Sequence, residues 1–191
     1  MEMNTYFSYF DSNFENWRTD GRVFEKLVSS LITDNKIDAL KFLINNLDKT
    51  EYSYKELDKH ISYYGSLNNN MEIVNDKPID NISYIFTGAL NGGHVDIAKY
   101  ALYRSINKDS KNPMNFKEFI KSNIKLNINE VGRFLNNVAE SSILCGSLNA
   151  IKCLDEITNK NLAYEFLIEL CKMYNRRDIQ DYLIKNMEVN V

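Results

Sequence analysis

Few side chains in this sequence are of a type that does chemistry. The 191-residue chain has two histidines, His60 and His94, and three cysteines, Cys145, Cys153 and Cys171. A structural zinc site asks for two close ligand pairs, typically cysteines two to four apart with a second pair elsewhere. Cys145 and Cys153 stand eight apart, and neither histidine has a cysteine or a suitably spaced pair of carboxylates beside it. A nucleophile elbow, an HExxH helix and a phosphate-cradling glycine loop are all missing from the sequence. The odd cysteine count, at positions of helical spacing, suits buried reduced thiols better than a disulfide framework. The expectation is a chain with no catalytic residues, no cofactor and no bound metal.

The elements that would have to position such residues are more legible. The phrase Gly92-Gly93-His94-Val95-Asp96-Ile97-Ala98-Lys99-Tyr100-Ala101-Leu102 returns four more times in degraded form. Aligned on a corner that is always Asn or Gly, the five copies centre on Asn35, Asn69, Gly93, Gly146 and Asn175. Those residue types enter the left-handed backbone region most cheaply, as a chain must when it leaves one helix for another. Three residues later comes an acid or its amide, Asp38, Glu72, Asp96, Asn149 or Asp178, in the first turn of the next helix and near its positive dipole end. Four residues before the corner the side chain is small in Gly65, Ala89, Ser142 and Cys171, with Leu31 the exception, which lets antiparallel helices approach.

These residues resemble the ankyrin repeat, a helix–turn–helix unit of about 33 residues. The copy at Gly93 is the closest, with Ala89, Gly93, His94, Ile97, Ala98, Lys99 and Leu102 on family positions; Gly146 follows with Ser142, Ala150, Ile151, Lys152 and Leu154. The family's Thr-Pro-Leu-His opening is replaced by Tyr84, Ile85, Phe86 and Thr87, and corner spacings run 34, 24, 53 and 29. The resemblance implies an all-α stack of antiparallel helix pairs, an ankyrin-like α-solenoid of irregular spacing. It also implies that His94 hydrogen-bonds between loops and starts its helix. In function it implies a non-enzymatic module that presents a helical surface to a partner protein. The alternative is an effector, a cryptic enzyme or an enzyme inhibitor acting on a host protein.

Composition agrees with a folded helical chain. Apolar residues make up 44% and charged residues 26%, with two prolines and seven glycines to interrupt helices. A net charge of −3, with lysines and arginines scattered, speaks against nucleic-acid binding. No stretch approaches the ~20 apolar residues of a membrane helix, and Met1-Glu2-Met3-Asn4-Thr5 lacks the look of a secretory signal. An intracellular place, cytoplasmic or nuclear, is expected. Asn, Lys and Ile, all written in A/T-rich codons, are abundant. Together with the resemblance, that suggests a giant DNA virus or an intracellular bacterium, and then the compartment would be a host cell's.

The chain reads as one domain over 1–191. Tyr6, Phe7, Phe10, Phe14 and Trp17 give residues 1–20 an aromatic stripe of helical period, suited to capping the stack or to docking a partner. Five helix pairs follow, with a polar loop from Asn107 and a further apolar stripe at Phe116, Phe119, Ile120 and Ile124 that makes 107–130 an insert breaking the array. The residues two before each corner, Thr33, Leu67, Asn91, Leu144 and Met173, differ in every copy while the framework repeats. With Tyr64 from the tyrosine-rich second pair, they are the expected partner-binding residues.

Overall fold

Five reversals of direction set the frame. Asn35, Asn69, Gly93, Gly146 and Asn175 all have positive φ, at 54°, 57°, 74°, 73° and 54°. At each, the N–H of the next residue donates to the carbonyl five residues earlier, in Lys36 to Leu31, Asn70 to Gly65, His94 to Ala89, Ser147 to Ser142 and Arg176 to Cys171, over 2.7–2.9 Å. The corner's own N–H donates to the carbonyl three before it. A left-handed residue thus lets the chain satisfy two terminal carbonyls as it leaves the helix. The position four before the corner is the acceptor every time, and it is buried in all five copies.

The computed structural model describes residues 21–36, 38–40, 52–71, 81–110, 112–122, 124, 126 and 128–189. Among these residues there are nine helices and no strand. They are α1 (Gly21–Thr33), α2 (Tyr52–Leu67), α3 (Ile82–Gly92), α4 (Val95–Ile106), α5 (Phe116–Ser122), α6 (Ile128–Cys145), α7 (Leu148–Ile157), α8 (Tyr164–Met173) and α9 (Arg177–Val189). The aromatic segment 1–20 lies outside the described residues, as do most of the positions expected to form the second helices of the first two pairs. The last helix runs to Val189, past the frayed tail expected from Asn186 onward.

Packing follows chain order. α1 lies on α2, α2 on α3, α3 on α4, α6 on α7 and α8, and α8 on α9. Ala89, Ile97, Ala101, Ile143, Ile151, Leu154, Leu167, Cys171, Ile179 and Leu183 belong to one continuous apolar core through the last three pairs. This packing is compatible with a helical solenoid. α2 and α3 come closest at Gly88, where an added Cβ would lie 2.2 Å from both the Tyr63 carbonyl oxygen and Ser66 Oγ.

A chain of polar contacts ties corner to corner. The left-handed ending leaves the carbonyl two before each corner without an intrahelical donor, and at the Asn69, Gly93 and Gly146 corners the next pair supplies one. His94 Nε2 bonds the Leu67 carbonyl at 3.0 Å, Asn149 Nδ2 the Asn91 carbonyl at 3.4 Å, and Arg176 Nη2 the Leu144 carbonyl. Ser147 Oγ also donates to Asn91 Oδ1, and Asn70 Nδ2 to Asn35 Oδ1. Asn149 therefore reaches back to the preceding corner rather than capping its own helix.

The insert does not break the array. Ser147 and Asn149 fasten the fourth corner directly to the third, and α7 packs on both α3 and α4. The extra residues fold back onto α4, where Tyr100, Tyr103, Phe116 and Phe119 stack with ring centroids 5.2–6.3 Å apart. Met114 is held from both sides, its carbonyl accepting from Tyr100 Oη and its N–H donating to Tyr103 Oη.

Candidate functional site

Residues nine, six, five and two before a corner follow the i, i+3, i+4, i+7 pattern of one helical face, so they form one stripe along each first helix. On α2 the stripe carries His60, Tyr63, Tyr64 and Leu67; on α3, Tyr84, Thr87, Gly88 and Asn91; on α6, Asn137, Glu140, Ser141 and Leu144; on α8, Phe166, Glu169, Leu170 and Met173. Neighbouring first helices touch along and beside the stripes. Asn91 Nδ2 donates to Tyr63 Oη at 3.1 Å, Lys59 Nζ lies 5.7 Å over the Tyr84 ring, and Phe86 meets Phe134 of α6 at 5.8 Å.

This first-helix face has an unusual charge. Its sixteen stripe positions in the second to fifth pairs hold two carboxylates, Glu140 and Glu169, and no lysine or arginine, although the Lys59 ammonium reaches over Tyr84 from beside the stripe. Glu169 is itself paired with Lys172 at 2.6 Å. Over their whole lengths α2, α3, α6 and α8 carry ten charged residues in 55 positions, α3 none of them, against eleven in 35 for the second helices α4, α7 and α9, so the charges of the first helices lie mainly off the stripe. Large apolar side chains stand open on the first-helix side, including Met173 at 74% exposure, Phe166 at 51%, Phe134 at 49% and Leu144 at 47%. Charge depletion with exposed aromatic and methionine side chains is the compositional mark of interface cores.

The expected partner-binding residues fall unevenly on this face. Leu144 and Met173 project into solvent. Tyr64 and Leu67 are half-buried, Tyr64 edge-on to Tyr63 at 5.1 Å and stacked with His60 at 6.4 Å. Asn91 is drawn into the corner contacts with Tyr63 and Ser147, and Thr33 is exposed with its hydroxyl on the Ser29 carbonyl at 2.8 Å. Phe134 and Phe166 escaped the sequence reading, although the nine-before-corner spacing that marks His60 and Tyr84 also picks out Phe166.

The groups able to do chemistry stay apart. Among the described residues no three His, Cys, Asp or Glu side chains converge on a possible metal position. Cys153 and Cys171 are buried free thiols; Cys145, expected to be buried with them, is exposed because it ends α6 on the open side. An open cleft of about 300 Å³ separates the third corner from α7, lined by Gly92, Gly93, Val95, Asn149, Lys152, Cys153 and Glu156. Burial, then Glu156, pushes the Cys153 thiol there up to about 12, so it is a neutral wall rather than a nucleophile. No helix among the described residues is long and apolar enough to cross a membrane. Comparison with family models, with curated proteins and with solved structures finds no match.

Proposed function

We propose that the chain is a non-enzymatic, ankyrin-like interaction module that holds a partner protein on its first-helix face. The observation that carries the reading is the charge-poor face from α2 to α8 with Leu144, Phe166 and Met173 open to solvent. The resemblance at Gly93, the shared corner register and the His94 bridge to the Leu67 carbonyl support the ankyrin-like arrangement. A rigid framework with variable side chains two before each corner suits recognition of one partner rather than many.

Leu144 and Met173 are the sharpest test, since their side chains are exposed and only the Leu144 backbone serves the corner ladder. A photo-crosslinker placed at Met173 should trap a partner that the same crosslinker at Lys185, on the second-helix side, does not. With that partner in hand, Leu144→Ala/Met173→Ala should weaken binding by ~2 kcal/mol or more, because interface energy concentrates in a few large anchors. Tyr64→Ala/Leu67→Ala should weaken it similarly, with circular dichroism to confirm folding of these half-buried substitutions. Unchanged affinity in both double variants would place recognition elsewhere.

A further inference from the structure

α8 carries the two most exposed large apolar side chains among the described residues, Met173 at 74% and Phe166 at 51%. They stand seven residues apart, two helical turns, and so share one line along the helix, opposite the buried Tyr164, Leu167, Ile168 and Cys171. Beside that line runs a second one made of charges. Glu165, Glu169 and Lys172 follow the i, i+4, i+7 spacing of a single face, and all three are exposed. Glu165 lies in the first turn of the helix and Lys172 in the last. Lys172 is paired with Glu169 at 2.6 Å, while Glu165 has no hydrogen-bond or ion-pair partner among the described residues.

Elsewhere in the stack this charged line is the flank that receives the next first helix. Its positions are ten, six and three before the corner. In the second pair they hold Lys59, Tyr63 and Ser66, and all three meet α3: Lys59 Nζ over the Tyr84 ring, Tyr63 Oη accepting from Asn91 Nδ2, and Ser66 Oγ closing on Gly88. Three before the corner the side chain is buried in every earlier pair, as Ile32, Ser66, Leu90 and Ile143, whereas Lys172 is open. A polar outer flank alone would serve as a solubilising cap. Here it is bordered by Phe166 and Met173, which a cap does not need.

We propose that this flank is a homodimer contact, in which α8 of a second copy lies antiparallel on α8 of the first about a two-fold axis. Antiparallel pairing sets a flank against its own reverse, and a flank acidic at its start and basic at its end is complementary to that reverse. Lys172 of each copy then meets the unpaired Glu165 of the other, and Phe166 of each lies over Met173 of the other. The two pairs have the same seven-residue span and are offset by one position, so a single register serves both. Parallel pairing would instead set Glu165 on Glu165 and Lys172 on Lys172. A two-fold contact uses the same patch on both copies and closes at two. The dimer requires no other protein, although Met173 also belongs to the face proposed for a partner, so partner and second copy compete for it.

The test uses the purified full chain alone, in sedimentation equilibrium. Association should be weak, because a ten-residue helix offers less than the roughly 800 Å² a side of a standard interface. A dissociation constant between about 10 µM and 1 mM is expected. Glu165→Lys and Lys172→Glu should each weaken the dimer at least about fivefold, and Met173→Glu should abolish it. The double swap Glu165→Lys/Lys172→Glu should restore it, since the exchanged charges still meet their opposites. These positions are exposed, so circular dichroism should be unchanged in every variant. Tyr64→Ala/Leu67→Ala should leave the dimer intact, so failure here and failure of the partner face are told apart. A monomer up to about 1 mM overturns the proposal, as does a dimer that Met173→Glu leaves intact. Single swaps without effect, or a double swap that recovers nothing, overturn the antiparallel contact, and growth beyond two copies would replace it with a head-to-tail one.

Discussion

Cys145, Cys153 and Cys171 share a residue type and little else. Burial, then Glu156, raises the Cys153 thiol to about 12, and burial, then Asp178, raises Cys171 to about 11, while Cys145 is exposed at the end of α6. A maleimide at neutral pH should therefore attach once to the folded protein, at Cys145, and three times after unfolding, as counted by mass spectrometry. Two or more adducts on the native chain would mean that the inner thiols are open. At Gly93, with φ of 74°, a β-branched side chain meets its own backbone rather than a neighbour, since an added Cβ would find only Asn149 Cβ at 4.0 Å. Gly93→Val should destabilise by roughly 1–2 kcal/mol in chemical denaturation, and Gly93→Asn by less. An unaltered Gly93→Val midpoint would contradict the backbone argument. The corners were legible because few residue types accept positive φ. Asn159 and Lys160, with φ of 52° and 62°, make a sixth left-handed ending that a lysine hides from composition. Gly88 was illegible for a different reason, since what forbids a side chain there is the Tyr63 carbonyl of another helix.

Between the fourth and fifth pairs, the elements are joined by a buried carboxylate that two phenols contact. Asp155 on α7 is buried at 1% exposure and accepts from Tyr164 Oη at the start of α8 and from Tyr182 Oη on α9, the latter at 2.9 Å. Burial first, and then the bond to Asp155, holds both phenols well above the usual tyrosine range. A phenol whose folded value is raised keeps its proton while the unfolded chain loses it, so stability is full below about pH 10 and falls as pH rises past it. Spectrophotometric titration should show two of the twelve tyrosines ionising only as the protein unfolds. Tyr182→Phe should remove one late phenol and lower stability at neutral pH, because a buried carboxylate loses a donor. Two early, reversible titrations at Tyr164 and Tyr182 would break this account. Helix periodicity could not have joined Asp155 to Tyr164 and Tyr182, because the three come from different elements. The third pair, by contrast, was readable to its ends at Ile82 and Ile106, since its stripe, corner and acid all agree.

At the scale of the molecule, the 53-residue spacing between the third and fourth corners looked like a discontinuity. Spacing along the chain says how much sequence separates two elements and nothing about where that sequence goes. Ser147 and Asn149 hold the two corners together without help from the intervening residues, and the rings of Tyr100, Tyr103 and Phe119 form a cluster apart from the main core. Loop-closure entropy changes slowly with length, so shortening a connection that packs independently alters stability little. Replacing residues 108–122 by a flexible Gly/Ser linker of about ten residues, with Tyr100→Gln and Tyr103→Gln to keep the bared side of α4 soluble, should preserve the helical circular dichroism of the remaining chain. It should also preserve a single cooperative unfolding transition, and binding at the first-helix face should persist. Unfolding in two steps, or collapse of the helical signal, would mean that the insert is the joint between two halves. In that event the third and fourth pairs would owe their contact to the aromatic cluster rather than to their corners.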